Sequence, residues 1–218
     1  MAKRQSQLVL PKRRSCFRPQ SVALRIYCNG ETEKLYFEGL RAELRLQSVV
    51  VIKSSEYNRR SLVDKVKRLL REDDYVLDEQ HEVWLLFDVD ALPDGRQTTD
   101  IEYQTDEAVN KCRRLGYTPV VSNDAFELWL FLHFEYCDSH LHRWQLQEKV
   151  KEKIPGYDKA LPVYDNHLKG EPVEKAIKNA TTLCGKYDDD QPFSQRKPYT
   201  NAHELVLRMR SLAAERAL

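Results

Sequence analysis

The stretch Glu82-Val83-Trp84-Leu85-Leu86-Phe87-Asp88-Val89-Asp90 decides the fold. Its apolar run, Val83 to Phe87, has the length of a strand and no polar face. Such a run is typical of a central strand in a parallel sheet that helices cover on both sides. Residues two apart on an extended chain point to the same side, so Asp88 and Asp90 leave the strand together. Two carboxylates at the carboxyl end of a buried strand suit a hard divalent cation, and simple solvation of the strand exit by two Asp residues is an equal alternative.

Strand and helix patterns alternate along the first part of the chain. The predicted strands are Val22 to Cys28, Ser48 to Lys53, Val83 to Phe87 and Tyr117 to Val121. A segment with helical periodicity follows each strand, and this order predicts a four-stranded parallel sheet with right-handed crossovers. The strand pattern stops near residue 138. We therefore predict an α/β protein with a basic, flexible arm over residues 1–20, an α/β domain over 21–137 and a helical appendage over 138–218 that packs on it.

Composition favours a helix-rich protein of the cytoplasm. The 218 residues suffice for one ordinary core and an appendage, and 32% of them are charged against 41% apolar. The sequence has no apolar run of membrane-span length and no signal-peptide core. The five cysteines are scattered without a Cys-x-x-Cys pair, which favours reduced thiols in a cytoplasm.

Positive charge is concentrated in two places. Residues 1–20 contain no acid and six basic residues, which are Lys3, Arg4, Lys12, Arg13, Arg14 and Arg18. The predicted helix after the second strand has a basic face that includes Arg59 and Arg60. Either surface could contact phosphates. For the arm, a solubilising tail is an equal alternative, and for the helix face plain solvation is favoured.

Glu127 is the one charged residue inside the apolar segment Ala125-Phe126-Glu127-Leu128-Trp129-Leu130-Phe131-Leu132. A helix of this composition should be buried, and a lone buried carboxylate costs several kcal/mol unless it is paired or bound to metal. Its partner is either an Arg or Lys of a neighbouring helix or a metal site. The polar lead-in Ser122-Asn123-Asp124, predicted to cap this helix, favours the site.

Other motifs are weaker. His140 and His142 flank one leucine, and His133 lies four residues before Cys137, so each pair could be half of a zinc site. Neither pair has a companion pair at ligand spacing, and we expect ordinary core or surface histidines. The sequence contains no phosphate-binding glycine loop, no dinucleotide fingerprint and no nucleophile elbow. ATP hydrolysis and esterase chemistry therefore have no support.

Three stretches together resemble one family. They are Cys28-Asn29-Gly30-Glu31-Thr32-Glu33-Lys34-Leu35-Tyr36-Phe37, Phe87-Asp88-Val89-Asp90 and Ser122-Asn123-Asp124-Ala125-Phe126-Glu127-Leu128-Trp129-Leu130-Phe131-Leu132-His133-Phe134. In this order they are similar to the RloB-like (AbiL-type) proteins, which are bacterial Toprim-fold proteins encoded with restriction or abortive-infection systems. The resemblance runs from about Val22 to Tyr136 and extends weakly to the segment from Asn201 to Val206, where a capping box is expected.

The Toprim resemblance implies a four-stranded parallel sheet in which a glutamate after the first strand and an Asp-x-Asp after the third bind magnesium. Asp88 and Asp90 match the second motif. The first motif departs from the wider pattern, because Asn29 stands where a leading acid is expected. An amide can ligate through its carbonyl oxygen, but it cannot act as a carboxylate base. We expect Glu33 to take that role, with Glu31 as the second choice.

The resemblance thus implies a nuclease that depends on Mg²⁺ or Mn²⁺, in which the metal activates a water and stabilises charge on the scissile phosphate. The expected catalytic residues are Glu33, Asp88, Asp90 and Glu127. The expected metal ligands are Glu31, Glu33, Asp88, Asp90 and Asp124. The expected nucleic-acid contacts are Arg13, Arg14, Arg59, Arg60 and Lys34.

The family setting implies RNA, with tRNA as a candidate, as the substrate and an ATPase encoded nearby as a partner. No membrane contact is expected, and a homo-oligomer is compatible with the sequence. The alternative function is a non-catalytic binding or regulatory subunit of a defence complex with a degenerate metal site, which Asn29 supports. A nucleotide-handling enzyme with the same metal chemistry is a third hypothesis, which cleavage of a polymer would contradict.

Overall fold

The computed structural model describes residues 23–54, 59–89 and 99–216. The strands begin and end close to the predicted positions, because each apolar β-rich run is closed by polar or turn residues. They are β1 (Ala23–Cys28), β2 (Val49–Lys53), β3 (His81–Asp88), β4 (Thr118–Asn123) and β5 (Tyr199–Thr200). Asp90, Arg13 and Arg14 lie outside the described residues.

Helices connect the strands and make up the C-terminal part of the chain. They are α1 (Glu31–Glu43), α2 (Arg59–Glu72), α3 (Thr99–Arg114), α4 (Glu127–Leu132), α5 (Arg143–Lys153), α6 (Glu171–Cys184) and α7 (Ala202–Glu215). Short helical turns occur at Tyr164–Leu168 and Phe193–Gln195. Within the described ranges, no helix is long and apolar enough to span a bilayer.

The sheet confirms the predicted α/β class. Its strand order is β2-β1-β3-β4-β5, and the first four strands run parallel, as the strand–helix alternation predicted. The expectation of four strands was one short, because β5 pairs antiparallel with the end of β4. In that pairing Ser122 lies opposite Thr200, and Asn123 lies opposite Tyr199.

Both faces of the sheet are covered, which explains the solid apolar run in β3. Alternate residues of a strand point to opposite faces. Trp84 and Leu86 therefore join a core formed with α1, α4, α5, α6 and α7. Val83, Leu85 and Phe87 join a second core formed with α2 and α3. Because β3 is central and covered on both sides, its carboxyl end is the part of the strand left for polar chemistry.

Two predicted helix caps are absent, and both differences follow from β4. This strand continues to Asn123, and α4 begins only at Glu127 with Phe126 as its N-cap and no side-chain cap hydrogen bond. At the start of α7, Asn201 likewise makes no cap hydrogen bond. Its Oδ1 instead accepts the N–H of Val121 at 2.7 Å, and its Nδ2 donates to the carbonyl of Pro119 at 3.2 Å. The Asn201 side chain therefore extends the hydrogen bonding of β4 beyond β5.

His133 is a core residue rather than half of a zinc pair with Cys137. Its Nδ1 lies 2.9 Å from the carbonyl oxygen of Trp129, and its Nε2 lies 3.1 Å from the hydroxyl of Tyr36. A carbonyl only accepts, so Nδ1 carries the proton and Nε2 accepts from Tyr36 in the neutral ring. Burial lowers the pKa of His133 from 6.5 to about 4.

This lowered pKa predicts acid sensitivity of the fold. The unfolded chain takes up the His133 proton near pH 6.5, whereas the folded chain resists it until about pH 4. The contribution of His133 is therefore complete above pH 6.5 and is lost as the pH falls towards 4. We expect wild type to lose roughly 3 kcal/mol more unfolding free energy than His133→Gln between pH 7 and pH 4. Chemical denaturation at a series of pH values measures this difference.

His167→Gln is the matched control, because His167 is exposed on the turn Tyr164–Leu168. Its pH dependence should parallel that of wild type. If the curves of wild type and His133→Gln ran parallel instead, the neutral buried ring would be ruled out.

Candidate metal centre at the carboxyl edge of the sheet

Three neighbouring parallel strands end at the same edge of the sheet. Tyr27 of β1 lies beside Leu85 of β3, and Asp88 at the end of β3 lies beside Ser122 of β4. Adjacent strands are about 4.8 Å apart. The segments that leave β1, β3 and β4 therefore emerge side by side, which is where open α/β sheets place their sites.

The segment after β1 brings two oxygen donors to this edge. The Oδ1 atom of Asn29 is buried and has no hydrogen-bond partner among the described residues. Glu33 is 7% exposed, and its carboxylate folds back over Gly30. A Cβ at position 30 would overlap that carboxylate, so the glycine leaves the space that Glu33 occupies. Both oxygens are of the type that hard cations bind.

Glu31, the second choice from the sequence, is engaged elsewhere. Its Oε2 accepts a hydrogen bond from Lys53 Nζ, at the end of β2, over 2.6 Å. This hydrogen bond, together with the nearby charge, lowers the pKa of Glu31. About a third of the Glu31 side chain is exposed, at 32%. The geometry therefore favours Glu33 over Glu31 as the metal-binding carboxylate, because Glu33 is buried and Glu31 pairs with Lys53 at the surface.

Asp88 lies at the carboxyl end of β3, where the sequence placed it. Its side chain is 14% exposed, and its Oδ2 lies 3.5 Å from a guanidinium nitrogen of Arg143. The Asp88 carbonyl accepts a hydrogen bond from Arg59 Nε at 2.7 Å. One of the predicted nucleic-acid contacts, Arg59, therefore sits at the same strand end as the predicted metal ligand.

Glu127 is buried as predicted, with 2% exposure, but both of its hydrogen-bond donors in the described chain are neutral. Gln147 Nε2 donates to Oε1 at 3.0 Å, and the hydroxyl of Tyr157 donates to the same oxygen at 3.4 Å. The structure thus differs from the alternative of an Arg or Lys partner. Burial raises the pKa of Tyr157, and the negative charges of Glu127 and Glu33 raise it further. The Tyr157 hydroxyl therefore feels the negative charge of both carboxylates and donates a hydrogen bond to Glu127.

Asp124 belongs to a second cluster that the sequence prediction did not assemble. It is fully buried, and its Oδ2 lies 3.2 Å from His142 Nδ1, while its Oδ1 lies 3.9 Å from His140 Nε2. Burial alone would raise the pKa of Asp124, but its contacts with His140 and His142 outweigh burial and lower the pKa. One potential ligand atom from each residue falls within 4.8 Å of the others. This group could hold a metal ion.

Arg143 connects the second cluster to the end of β3. Its backbone N–H donates to Asp124 Oδ2 at 3.2 Å, while its guanidinium contacts Asp88. The sequence contained part of the signal, namely the His140-x-His142 pair. The third member was missed because we sought a second His or Cys pair at ligand spacing, whereas the fold supplies a single Asp from the end of β4.

Arg60 and Lys34, the other predicted nucleic-acid contacts within the described residues, lie on helices. Arg60 forms an ion pair with Glu107 of α3 and lies over the ring of Tyr103 at 5.4 Å. Lys34 lies 4.0 Å from Glu31 and 3.9 Å from Glu38. Arg60 and Lys34 thus pair with acidic residues of the helices, whereas Arg59 contacts the end of β3.

The comparisons with known proteins bear on one family. No curated protein and no solved structure matches the chain. The family model described as RloB-like protein matches residues 24–209. This range contains all the described strands except the first residue of β1, together with Asn29, Glu33, Asp88, Asp124 and Glu127. Because the match spans well over half of its length, the chain belongs to the RloB-like family.

Proposed function

We propose that this RloB-like protein is a nuclease that depends on Mg²⁺ or Mn²⁺ and acts as the effector of an anti-phage defence system. The observation that carries the proposal is the set of oxygen donors at the ends of two adjacent strands. Asn29 Oδ1 is buried and unpartnered among the described residues, Glu33 is a buried carboxylate, and Asp88 ends β3. Carboxylate and amide oxygens are the ligands that such cations prefer.

In this proposal the chain both holds the ion and orients the reactants. Glu33, Asp88 and Asp90 are the charged ligands, and Asn29 is a neutral one. When bound, the metal supplies a Lewis acid that activates water and stabilises charge on the scissile phosphate. Glu127 orients the attacking water, and its hydrogen bonds from Gln147 and Tyr157 fix the position of its carboxylate.

Cations near Asp88 are suited to bind the nucleic-acid backbone. About a third of the Arg143 side chain is exposed, at 34%, and its guanidinium lies beside Asp88. Guanidinium groups bind phosphate oxygens in a bidentate manner. Arg59, Arg60, Lys34 and the basic residues of segment 1–20, among them Arg13 and Arg14, extend the contact by charge.

The substrate and partner in the proposal follow from the family rather than from these side chains. Proteins encoded with restriction or abortive-infection systems act in the cytoplasm, and RNA, with tRNA as the candidate, is the proposed substrate. An ATPase encoded nearby is the proposed sensor that triggers cleavage.

A second candidate function is favoured by Asn29. With an amide in place of the leading acid, the edge carries one negative charge fewer, and a weaker site would suit a non-catalytic binding or regulatory subunit.

A nuclease assay separates the two functions. The full chain is incubated with tRNA and with plasmid DNA, in Mg²⁺, Mn²⁺ or EDTA, with and without the neighbouring ATPase. Metal-dependent cleavage supports the nuclease, and metal-independent binding without cleavage supports the subunit.

We predict that Asp88→Asn and Asp90→Asn each lower cleavage by at least about 100-fold, because even changes one shell away from a metal cost about 10-fold to 100-fold. Each variant should stay folded, since the amide keeps the volume of the acid. Asp64→Asn is the matched control, because Asp64 is exposed on α2 and pairs with Lys111. Wild-type cleavage by Asp88→Asn in magnesium would refute the metal assignment.

Glu127→Gln should separate catalysis from stability. The amide oxygen still accepts from Gln147 and Tyr157, and no buried cation is left unpaired, so unfolding free energy should change by less than about 1 kcal/mol. Cleavage should be lost, because an amide does not replace the carboxylate in orienting water. Glu127→Ala is the contrast: it leaves both donors without an acceptor and should cost about 1–3 kcal/mol or more. Thermal or chemical unfolding alongside the cleavage assay measures both effects. A Glu127→Gln protein that is destabilised yet active while folded would contradict the proposed role of Glu127 in orienting the water.

A further inference from the structure

We propose that Asp124, His140 and His142 form a second metal site, which takes a divalent transition-metal ion of the Zn²⁺ class and is separate from the oxygen-lined edge at Glu33 and Asp88. The candidate ligand atoms are the carboxylate oxygens of Asp124, of which Oδ1 lies nearest to Nε2 of His140 and Oδ2 to Nδ1 of His142. Two imidazoles and one carboxylate form a donor set that suits zinc and related ions, whereas magnesium prefers oxygen alone.

The distances between the donors are close to those that such an ion requires. Zinc bonds of about 2.0–2.1 Å in tetrahedral geometry place neighbouring ligand atoms about 3.3 Å apart. Asp124 Oδ2 and His142 Nδ1 are 3.2 Å apart. Asp124 Oδ1 and His140 Nε2 are 3.9 Å apart. The two distances run to the two oxygens of one carboxylate, and one ligand atom from each residue lies within 4.8 Å of the others, so a small movement of the exposed His140 ring completes the set.

Two of the three ligands are held in place by their own hydrogen bonds. Asp124 is fully buried, and the backbone N–H of Arg143 fixes its Oδ2. His142 precedes α5, and its backbone N–H donates to Gln145 Oε1 at 3.0 Å. Carboxylates that accept such additional bonds are oriented before an ion arrives. His140 and His142 are 30% and 33% exposed at the side chain, so the ion can enter from solvent.

Three protein ligands leave coordination positions open, which is typical of zinc sites that bind water or substrate rather than of closed structural sites. Arg143 also couples this site to the first one. Arg143 touches Asp124 with its backbone and Asp88 with its guanidinium. An ion bound at Asp124 would therefore hold the start of α5 in place. It would also fix the position of the Arg143 guanidinium beside Asp88.

The test measures binding and requires no substrate. The full chain is stripped with EDTA, dialysed against zinc in the low micromolar range, and its metal content is measured by mass spectrometry. A parallel titration with Co²⁺ follows the visible absorption of the bound ion. We expect wild type to hold one ion more per chain than the histidine-to-alanine variants. His140→Ala and His142→Ala should each weaken binding by more than about 100-fold, since a lost direct ligand exceeds the cost of a second-shell change.

Two controls make the outcome specific. His167→Ala removes an exposed histidine from another part of the chain and should keep the ion. Asp88→Asn should also keep it, so failure of the proposed nuclease and failure of this site are distinguishable. His140→Gln and His142→Gln, which keep a polar contact to Asp124, serve if an alanine variant unfolds. Absence of a bound ion in wild type, retention in both histidine variants, or loss in Asp88→Asn would each overturn the proposal.

Discussion

The structure depends on how carboxylates are accommodated where β1, β3 and β4 end. Glu33, Asp124 and Glu127 are each less than a tenth exposed, and Asp88 is little more exposed. Removing such groups from water is costly unless hydrogen bonds, opposite charges or a cation compensate, and their mutual repulsion adds to the cost. Residues 140–157 provide partners for Asp88, Asp124 and Glu127, namely His140, His142, Arg143, Gln147 and Tyr157. The C-terminal helical part therefore completes the edge that the sheet begins.

This arrangement explains why the oxygen donors group into two chemically different places. Near β1 and β3 the donors are carboxylates and one amide, and the hydrogen-bond donors to the neighbouring Glu127, Gln147 and Tyr157, are neutral. Near β4 two imidazoles face a single buried acid. Hard cations suit the first environment and transition metals the second. Arg143 contacts both Asp88 and Asp124 and so connects the two environments.

The sequence predicted the sheet well because its signals are local. Solid apolar runs, turn residues and helical periodicity each lie within a few residues of one another, and they located the four parallel strands and the buried state of Glu127. The fifth strand was missed because Tyr199–Thr200 is only two residues long, too short to show an alternation of apolar and polar residues. It forms a strand because it pairs with β4. The helix caps at Asp124 and Asn201 were wrong for a related reason: the Asp124 carboxylate contacts His140, His142 and Arg143, and the Asn201 amide bonds to the backbone of β4. The Asp124–His140–His142 group could not be predicted from spacing, because a strand end and a loop contribute its members.

The central claim is that the ends of β1 and β3 hold a divalent cation, and the most direct measurement is a crystal structure of the full chain soaked in Mn²⁺ with anomalous diffraction. We expect an anomalous peak within about 2.0–2.6 Å of oxygens from Glu33 and Asp88, with Asn29 Oδ1 as a further ligand. A peak beside Asp124, His140 and His142 would be a separate observation about the second site. Crystals that hold Mn²⁺ elsewhere but show no peak between Glu33 and Asp88 would contradict the claim.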